Sequence, residues 1–155
     1  MNENNCCFTG HRVINPKNLP YVRAKLSEEI LRLILNKNVS CFICGGALGF
    51  DTLAAETVLS FRGIYRDISL VLCLPCRTQA DKWSFSDGER YFKILKVADS
   101  VIYASDEYYR GCMHKRNRMM VDASAYCIAY LTKQRGGTFY TANYAEKKGL
   151  NVVYI

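Results

Sequence analysis

The sequence reads as an α/β chain: a largely parallel β-sheet with helices against both of its faces. Three observations carry this. Short apolar runs of strand character alternate with segments of helical periodicity along the whole chain. Two of those runs, Val39–Cys44 and Ile68–Leu74, are apolar almost without a break, as strands covered on both faces are. Glycine-bearing turns follow the strand ends at Gly10, Gly45 and Gly136, which places all three on the carboxyl edge of the sheet, where ligands bind in this class.

The elements follow in order. Cys6 to Thr9 is a short first strand, ending at Gly10-His11-Arg12. Val22, Leu26, Ile30, Leu33 and Ile34 recur at helical spacing and predict a helix over 19–36, with Pro20 near its start, where proline is tolerated. Val39–Cys44 is the second strand; Phe50, Leu53, Ala54, Val58 and Phe61 form one face of the next helix, which Gly63 ends. Ile68–Leu74 is the third strand, stopped by Pro75. The stretch Arg77–Phe85 is a loop or short helix, and Ser86-Asp87-Gly88-Glu89 has the form of a capping box opening a helix to about Ala98. Ser100–Ala104 is the fourth strand, 105–112 a tyrosine-rich loop, and Met113–Ala123 a helix. Tyr126–Leu131 is the fifth strand, Phe139–Lys148 a helix capped by Gly149, and Val152–Ile155 the last strand.

At 155 residues the chain fits one domain, residues 1–155. No apolar run approaches the ~18 residues of a membrane span, and the polar start Met1-Asn2-Glu3-Asn4-Asn5 lacks the layout of a signal peptide. The expectation is a cytoplasmic protein with no membrane partner. The net charge of +7, with Arg110, His114, Lys115, Arg116 and Arg118 close together, suits an anionic partner as well as it suits a solvated helix face.

Of the eight cysteines, Cys41-x-x-Cys44 and Cys73-x-x-Cys76 have the spacing of two half zinc sites. Each pair closes a strand-like run, in which residues three apart point to opposite faces, so one cysteine of each pair faces away from a shared metal. The favoured reading is small buried hydrophobes in a reducing compartment, with no metal site. Cys73-Leu74-Pro75-Cys76 also has the form of a thioredoxin-type C-x-P-C, but no other feature of those redox proteins accompanies it.

Two of the turns carry ligand chemistry. Gly45, Gly46 and Gly49 open one helix, and Gly136, Gly137 and Thr138 open another. Glycine allows sharp turning and close approach to backbone N–H groups, and a helix start behind such a turn attracts anions. Two turns sharing an edge suggest one ligand held from two sides, against the plainer reading of tight strand–helix junctions. Asp51, in the first helical turn, either offsets the helix dipole or serves a ribose hydroxyl or a proton transfer. Arg116 and Asn117 are candidates for a phosphate or sugar contact, against a solvated surface charge. Thr9, Gly10, His11 and Arg12 end the first strand beside the presumed cleft. His11 has the chemistry of an acid–base group or of a hydrogen-bond donor. Trp83 stacks on a base or packs as hydrophobic surface.

The segment Phe8-Thr9-Gly10-His11-Arg12, followed by Gly45-Gly46-Ala47-Leu48-Gly49-Phe50-Asp51 and Ala54-Ala55-Glu56, resembles the YpsA-type branch of the SLOG superfamily, which joins the DNA-processing protein DprA to the LOG phosphoribohydrolases. Pro75, Gln79 and Trp83, then Arg116-Asn117 with Asp122-Ala123-Ser124, then Gly136-Gly137-Thr138 with Thr141-Ala142 and Ala145, extend the likeness over nearly the whole chain. The resemblance implies a Rossmann-like, doubly wound domain. It also implies a nucleotide or nucleotide-derived ligand, with no further cofactor. It departs from the LOG enzymes, whose second glycine turn is followed by a glutamate; here no acid follows Gly136-Gly137-Thr138 until Glu146, which counts against LOG-type glycosidic cleavage.

The first expectation is therefore a nucleotide-binding module that could serve as a sensor. The alternatives are a nucleotide hydrolase, with Asp51 as its one candidate acid or base, and DprA-like binding of single-stranded DNA. Relatives in the wider superfamily form dimers, which leaves a homodimer open.

Overall fold

The computed structural model describes residues 2–155; Met1, the first residue of the polar start, lies outside the described residues. The chain runs β1 (Asn5–Gly10), α1 (Leu19–Lys37), β2 (Cys41–Cys44), α2 (Phe50–Arg62), β3 (Ser69–Leu74), α3 (Phe85–Val97), β4 (Ser100–Tyr103), α4 (Cys112–Asp122), β5 (Tyr126–Tyr130), α5 (Gly137–Lys147) and β6 (Asn151–Tyr154). The strands form one sheet in the order β4-β3-β2-β1-β5-β6, and every pairing is parallel. The fold is α/β and Rossmann-like. From β1 the chain winds outward to β4, then returns to lay β5 on the other side of β1. The order thus reverses between β1 and β5, and the crevice beyond their carboxyl ends is the place such sheets reserve for ligands.

Period-two alternation sorts the strands onto two cores. Cys6, Phe8, Phe42, Cys44, Leu70, Leu72 and Leu74 face one side, where they meet Val22, Leu26 and Ile30 of α1, Phe50 and Leu53 of α2, and Tyr91 and Ile94 of α3. Cys7, Ile43, Cys73 and Cys127 face the other, against Met120 and Val121 of α4 and Ala145 of α5. The cysteines are therefore core residues. Cys41 and Cys44 pack against opposite faces, and all eight thiols are free. Among the described residues no helix is long and apolar enough to cross a membrane.

The boundaries differ from the sequence expectation in two instructive places. The cap of α3 is Ser84, not Ser86: Ser84 has an extended backbone and its Oγ accepts the Asp87 N–H at 3.2 Å. Ser86 is already inside the helix. And α5 begins at Gly137, two residues before Phe139, so the glycine pair is the helix start itself rather than the loop before it.

The glycines carry different burdens. A methyl group on Gly10 would lie 2.3 Å from the Phe50 ring, whereas one on Gly88, inside α3, would have nothing within 4 Å. We therefore expect Gly10→Ala to lower stability by about 1–3 kcal/mol, as overpacking does. Gly88→Ala should raise it by about 0.5–1 kcal/mol through helix propensity. Urea denaturation of the two variants checks both signs.

Candidate functional site

At the point where the strand order reverses, a cavity of about 330 Å³ opens beyond β1 and β5. Its walls come from four parts of the chain: Thr9, Gly10 and Arg12 at the end of β1; Ala47 and Asp51 at the entrance to α2; Met113, Arg116 and Asn117 on α4; and Gly137 and Thr138 at the start of α5. This volume falls at the small end of ligand pockets, which run to about 300–1,000 Å³.

Arg116 is the central charge. It is 4% exposed although it is a guanidinium, so it must be held. Its Nη1 donates to the Gly45 carbonyl and its Nε donates to Asn117 Oδ1 at 2.7 Å. Its Nη2 makes no hydrogen bond with the protein among the described residues, and Arg116 itself lines the cavity. Burial lowers the Arg116 pKa, and Asp51 opposes that shift. Asp51 is buried too. Its Oδ2 accepts the Ala47 N–H at 3.2 Å, and burial raises its pKa while Arg116 and that N–H pull it down. The two charges meet across Gly45: a methyl there would lie 2.6 Å from Arg116 Nη1 and 2.8 Å from Asp51 Oδ2.

The two glycine turns differ in what they leave open. In the first, the chain itself fills the space. The Phe50 N–H donates to the His11 carbonyl at 3.1 Å. A methyl on Gly46 would strike Leu74, and one on Gly49 would sit 2.2 Å from the Arg12 carbonyl oxygen. In the second, a methyl on Gly136 or Gly137 would have nothing within 4 Å, and no side chain caps the helix. The first N–H groups of α5, which have no partner inside the helix, stand beside the cavity together with the Thr138 hydroxyl.

Of the residues singled out from sequence, Thr9, Gly10, Arg12, Asp51, Arg116, Asn117, Gly137 and Thr138 line this one cavity. Gly45, Gly46, Gly49 and Gly136 shape its margins without lining it. His11 does something else. Its Nε2 accepts the Thr132 N–H at 2.8 Å and its ring packs edge-on to Tyr130, which ties the end of β1 to the loop before α5. Partial burial and nearby Lys133 lower its pKa, so the neutral, accepting form is the one that fits. The basic cluster disperses: Arg116 turns inward, Lys115 donates to the Ala104 carbonyl at 2.7 Å, and Arg118 donates to the Tyr140 hydroxyl at 3.3 Å. Sequence reasoning missed Met113 as a lining residue, and it noted His114 only as part of that cluster. Arg12 Nη2 lies 3.0 Å from Met113 Sδ, a contact across the fold that no local motif announces.

A cavity at the reversal of a parallel sheet, walled by a buried guanidinium and an uncapped helix start, defines a Rossmann-like protein with a polar crevice at its sheet edge. The chain belongs to the YspA SLOG family, whose model matches residues 7–154. It is 31% identical over 138 residues to the uncharacterized SPbeta prophage-derived protein YoqJ of Bacillus subtilis, covering 81% of each chain. It is 27% identical to the UPF0398 protein BH1768 of Halalkalibacterium halodurans, covering 86% of this chain and 72% of that one. Among solved structures it is similar to DNA processing protein A from Helicobacter pylori, described for its single-stranded DNA binding mode. The TM-score is 0.70 at 18% identity, over 98% of this chain and 65% of that one. The Streptococcus pneumoniae DprA matches with a TM-score of 0.70 at 15% identity, over 97% of this chain and 49% of that one. At these identities the likeness to DprA is one of fold, and the chain spans less than two thirds of either DprA chain.

The raised pKa of Asp51 has a consequence for stability. The folded state holds this proton more tightly than the unfolded chain does, so the contribution is fullest below the ordinary value of 3.8 and is lost as pH rises through the raised one. Asn keeps an acceptor for the Ala47 N–H and does not titrate. The stability of Asp51→Asn relative to the native protein should therefore increase from about pH 3.5 to pH 7, measured by urea titration at each pH. A change in the opposite direction would mean that attraction to Arg116 outweighs burial.

Proposed function

We propose that the cavity binds a small phosphate-bearing ligand derived from a nucleotide, and that the protein acts as a binding module for it. One observation carries this reading: the buried Arg116, whose Nη2 makes no hydrogen bond with the protein among the described residues, and the uncapped start of α5 line the same cavity. A guanidinium offers directed donors to phosphate oxygens, and a helix start offers N–H groups with a partial positive charge. Membership of the SLOG family supports a nucleotide-type ligand. Binding is favoured over turnover because Asp51 is the single carboxylate among the lining residues, and it is engaged by the Ala47 N–H and by the field of Arg116.

Gly137 gives a clean test. Its backbone is not in the left-handed region and a Cβ there has no heavy atom of another segment within 4 Å, so Gly137→Val should fold while obstructing the cavity. In thermal-shift measurements with AMP, NAD, ADP-ribose and inorganic phosphate, a bound ligand at 100 times its Kd should stabilise the native protein by ~2.7 kcal/mol, and Gly137→Val should lose that shift. No shift with any of these compounds, or a shift that persists in the variant, would overturn the reading.

A second reading rests on the ridge beside the cavity. Tyr140 and Tyr144 of α5 lie parallel at 6.4 Å, Arg118 donates to Tyr140, and Lys148 lies over Tyr144 at 5.7 Å. Tyr140 is exposed and Tyr144 half-buried; aromatic rings flanked by cations form a stacking track for single-stranded nucleic acid, and the DprA likeness is consistent with it. This reading expects oligonucleotide affinity to fall steeply and log-linearly with salt. Tyr140→Ala should cost about 1–3 kcal/mol without affecting mononucleotides. Fluorescence anisotropy with a labelled oligothymidine measures both.

A further inference from the structure

Beyond the carboxyl end of β3 the chain runs from Pro75 to Ser84 before entering α3. This segment borders a second cavity of about 350 Å³, whose lining includes Cys76, Thr78, Gln79, Trp83, Tyr108 and Met113. Met113, in the first turn of α4, lines this cavity and the phosphate-receptive one alike, so the two adjoin along the same edge of the sheet. Their chemistries differ. The first presents a guanidinium, an amide, a hydroxyl and a helix start. The second presents an indole, a phenol ring and a thioether, together with the charged Asp81 and Lys82.

We infer that the second cavity takes the planar base of the nucleotide whose phosphate occupies the first. This inference rests on the reading under Proposed function and adds to it the part of the ligand that confers selectivity. Four features carry it. The first is reach: β1 and β3 are separated by two strand spacings, about 10 Å, a distance one nucleotide spans from base to phosphate. The second is the pair of aromatic rings. Tyr108 is 66% exposed in the segment between β4 and α4, where the core does not use it, and Trp83 is braced edge-on against Tyr91 at 5.2 Å. A braced indole and an exposed phenol ring at one cavity wall are the kind of surface on which a base stacks. The third is the partition. Met113 is unbranched and polarizable, the side-chain type that adapts to a flat ring, and its sulfur already meets Arg12 on the phosphate side.

The fourth is Gln79. Its Nε2 donates to the Gly46 carbonyl at 3.2 Å, which fixes which end of the amide is which. Its Oε1 is buried and has no hydrogen-bond partner among the described residues. An unpartnered buried acceptor is costly, and a donor on the edge of a base, an exocyclic amine or a ring N–H, is the kind of group that would satisfy it. A side-chain shift at the cavity wall has to expose the oxygen first, so Gln79 acts on the choice of base once stacking has brought the ring in.

The chain contains a single tryptophan, so its emission comes from Trp83, which borders this cavity and also a groove against α3; Tyr108, which lines only the former of these two, tells them apart. The experiment titrates the full chain with AMP, GMP, CMP and UMP, and with ribose 5-phosphate as the base-free probe, following Trp83 fluorescence and calorimetric heat together. Nucleotides should change Trp83 emission saturably, and ribose 5-phosphate should give heat with unchanged emission. Tyr108→Ala, a change at an exposed position, should weaken the best nucleotide by roughly tenfold and leave ribose 5-phosphate unaffected. Gln79→Leu should alter the ranking of the four bases. If nucleotides and ribose 5-phosphate bind equally, with silent emission and no effect of Tyr108→Ala, the base site is refuted and the phosphate site stands. If no probe gives heat, both are refuted.

Discussion

The cavity depends on how closely α2 enters against the end of β1. The Phe50 ring occupies the space that a side chain at Gly10 would need, and the Arg12 carbonyl occupies the space that one at Gly49 would need. The Phe50 N–H seals the seam by donating to the His11 carbonyl. An ordinary side chain at Gly10 or Gly49 would force the helix away from the strand. Asp51 and Ala47 would then no longer stand beside Thr9, and Arg116 would lose the Gly45 carbonyl that holds it. The packing seam is thus what allows buried charge at this edge.

That charge is balanced but not neutralised. Arg116 and Asp51 oppose one another across the bare Cα of Gly45, close enough for each to offset part of the other's burial cost. A buried guanidinium with every donor engaged would be a structural strut. Here two nitrogens are spent on Gly45 and Asn117, the third has no hydrogen bond within the protein among the described residues, and the residue lines the cavity. A ligand anion would therefore complete a hydrogen-bond set that the protein leaves unfinished. An exposed arginine, already solvated by water, would gain less from the same contact.

Much of this architecture was legible from sequence, for identifiable physical reasons. Unbroken apolar runs and helical periodicity report burial directly, so all six strands and the two-sided covering could be read. So could the placement of the cysteines, because alternation puts Cys41 and Cys44 on opposite faces whatever their spacing suggests. What could not be read were contacts between distant segments. Nothing near Met113 signals Arg12, 101 residues away, and nothing near His11 signals Thr132. The sequence sets Arg116 apart with Asn117 as a ligand candidate, but a solvated surface charge is equally open to it, and only the fold shows that it turns inward while Lys115 and Arg118 do not.

The two glycine turns show the same limit most sharply. As sequence they are equivalent: each ends a strand, opens a helix and offers backbone N–H groups. In the fold they divide the work. At Gly46 and Gly49 the absent side chains are replaced by Leu74 and by the Arg12 backbone, so these glycines answer to packing. At Gly137 the absent side chain is replaced by nothing in the protein and the backbone conformation is open to other residues, so packing and strain both fail to account for a glycine there. A glycine that the fold does not require, beside an uncapped helix start and an unfinished guanidinium, is best accounted for by what has to come close to it. The first turn builds the wall that positions Asp51 and Arg116, and the second leaves the helix start beside them unobstructed.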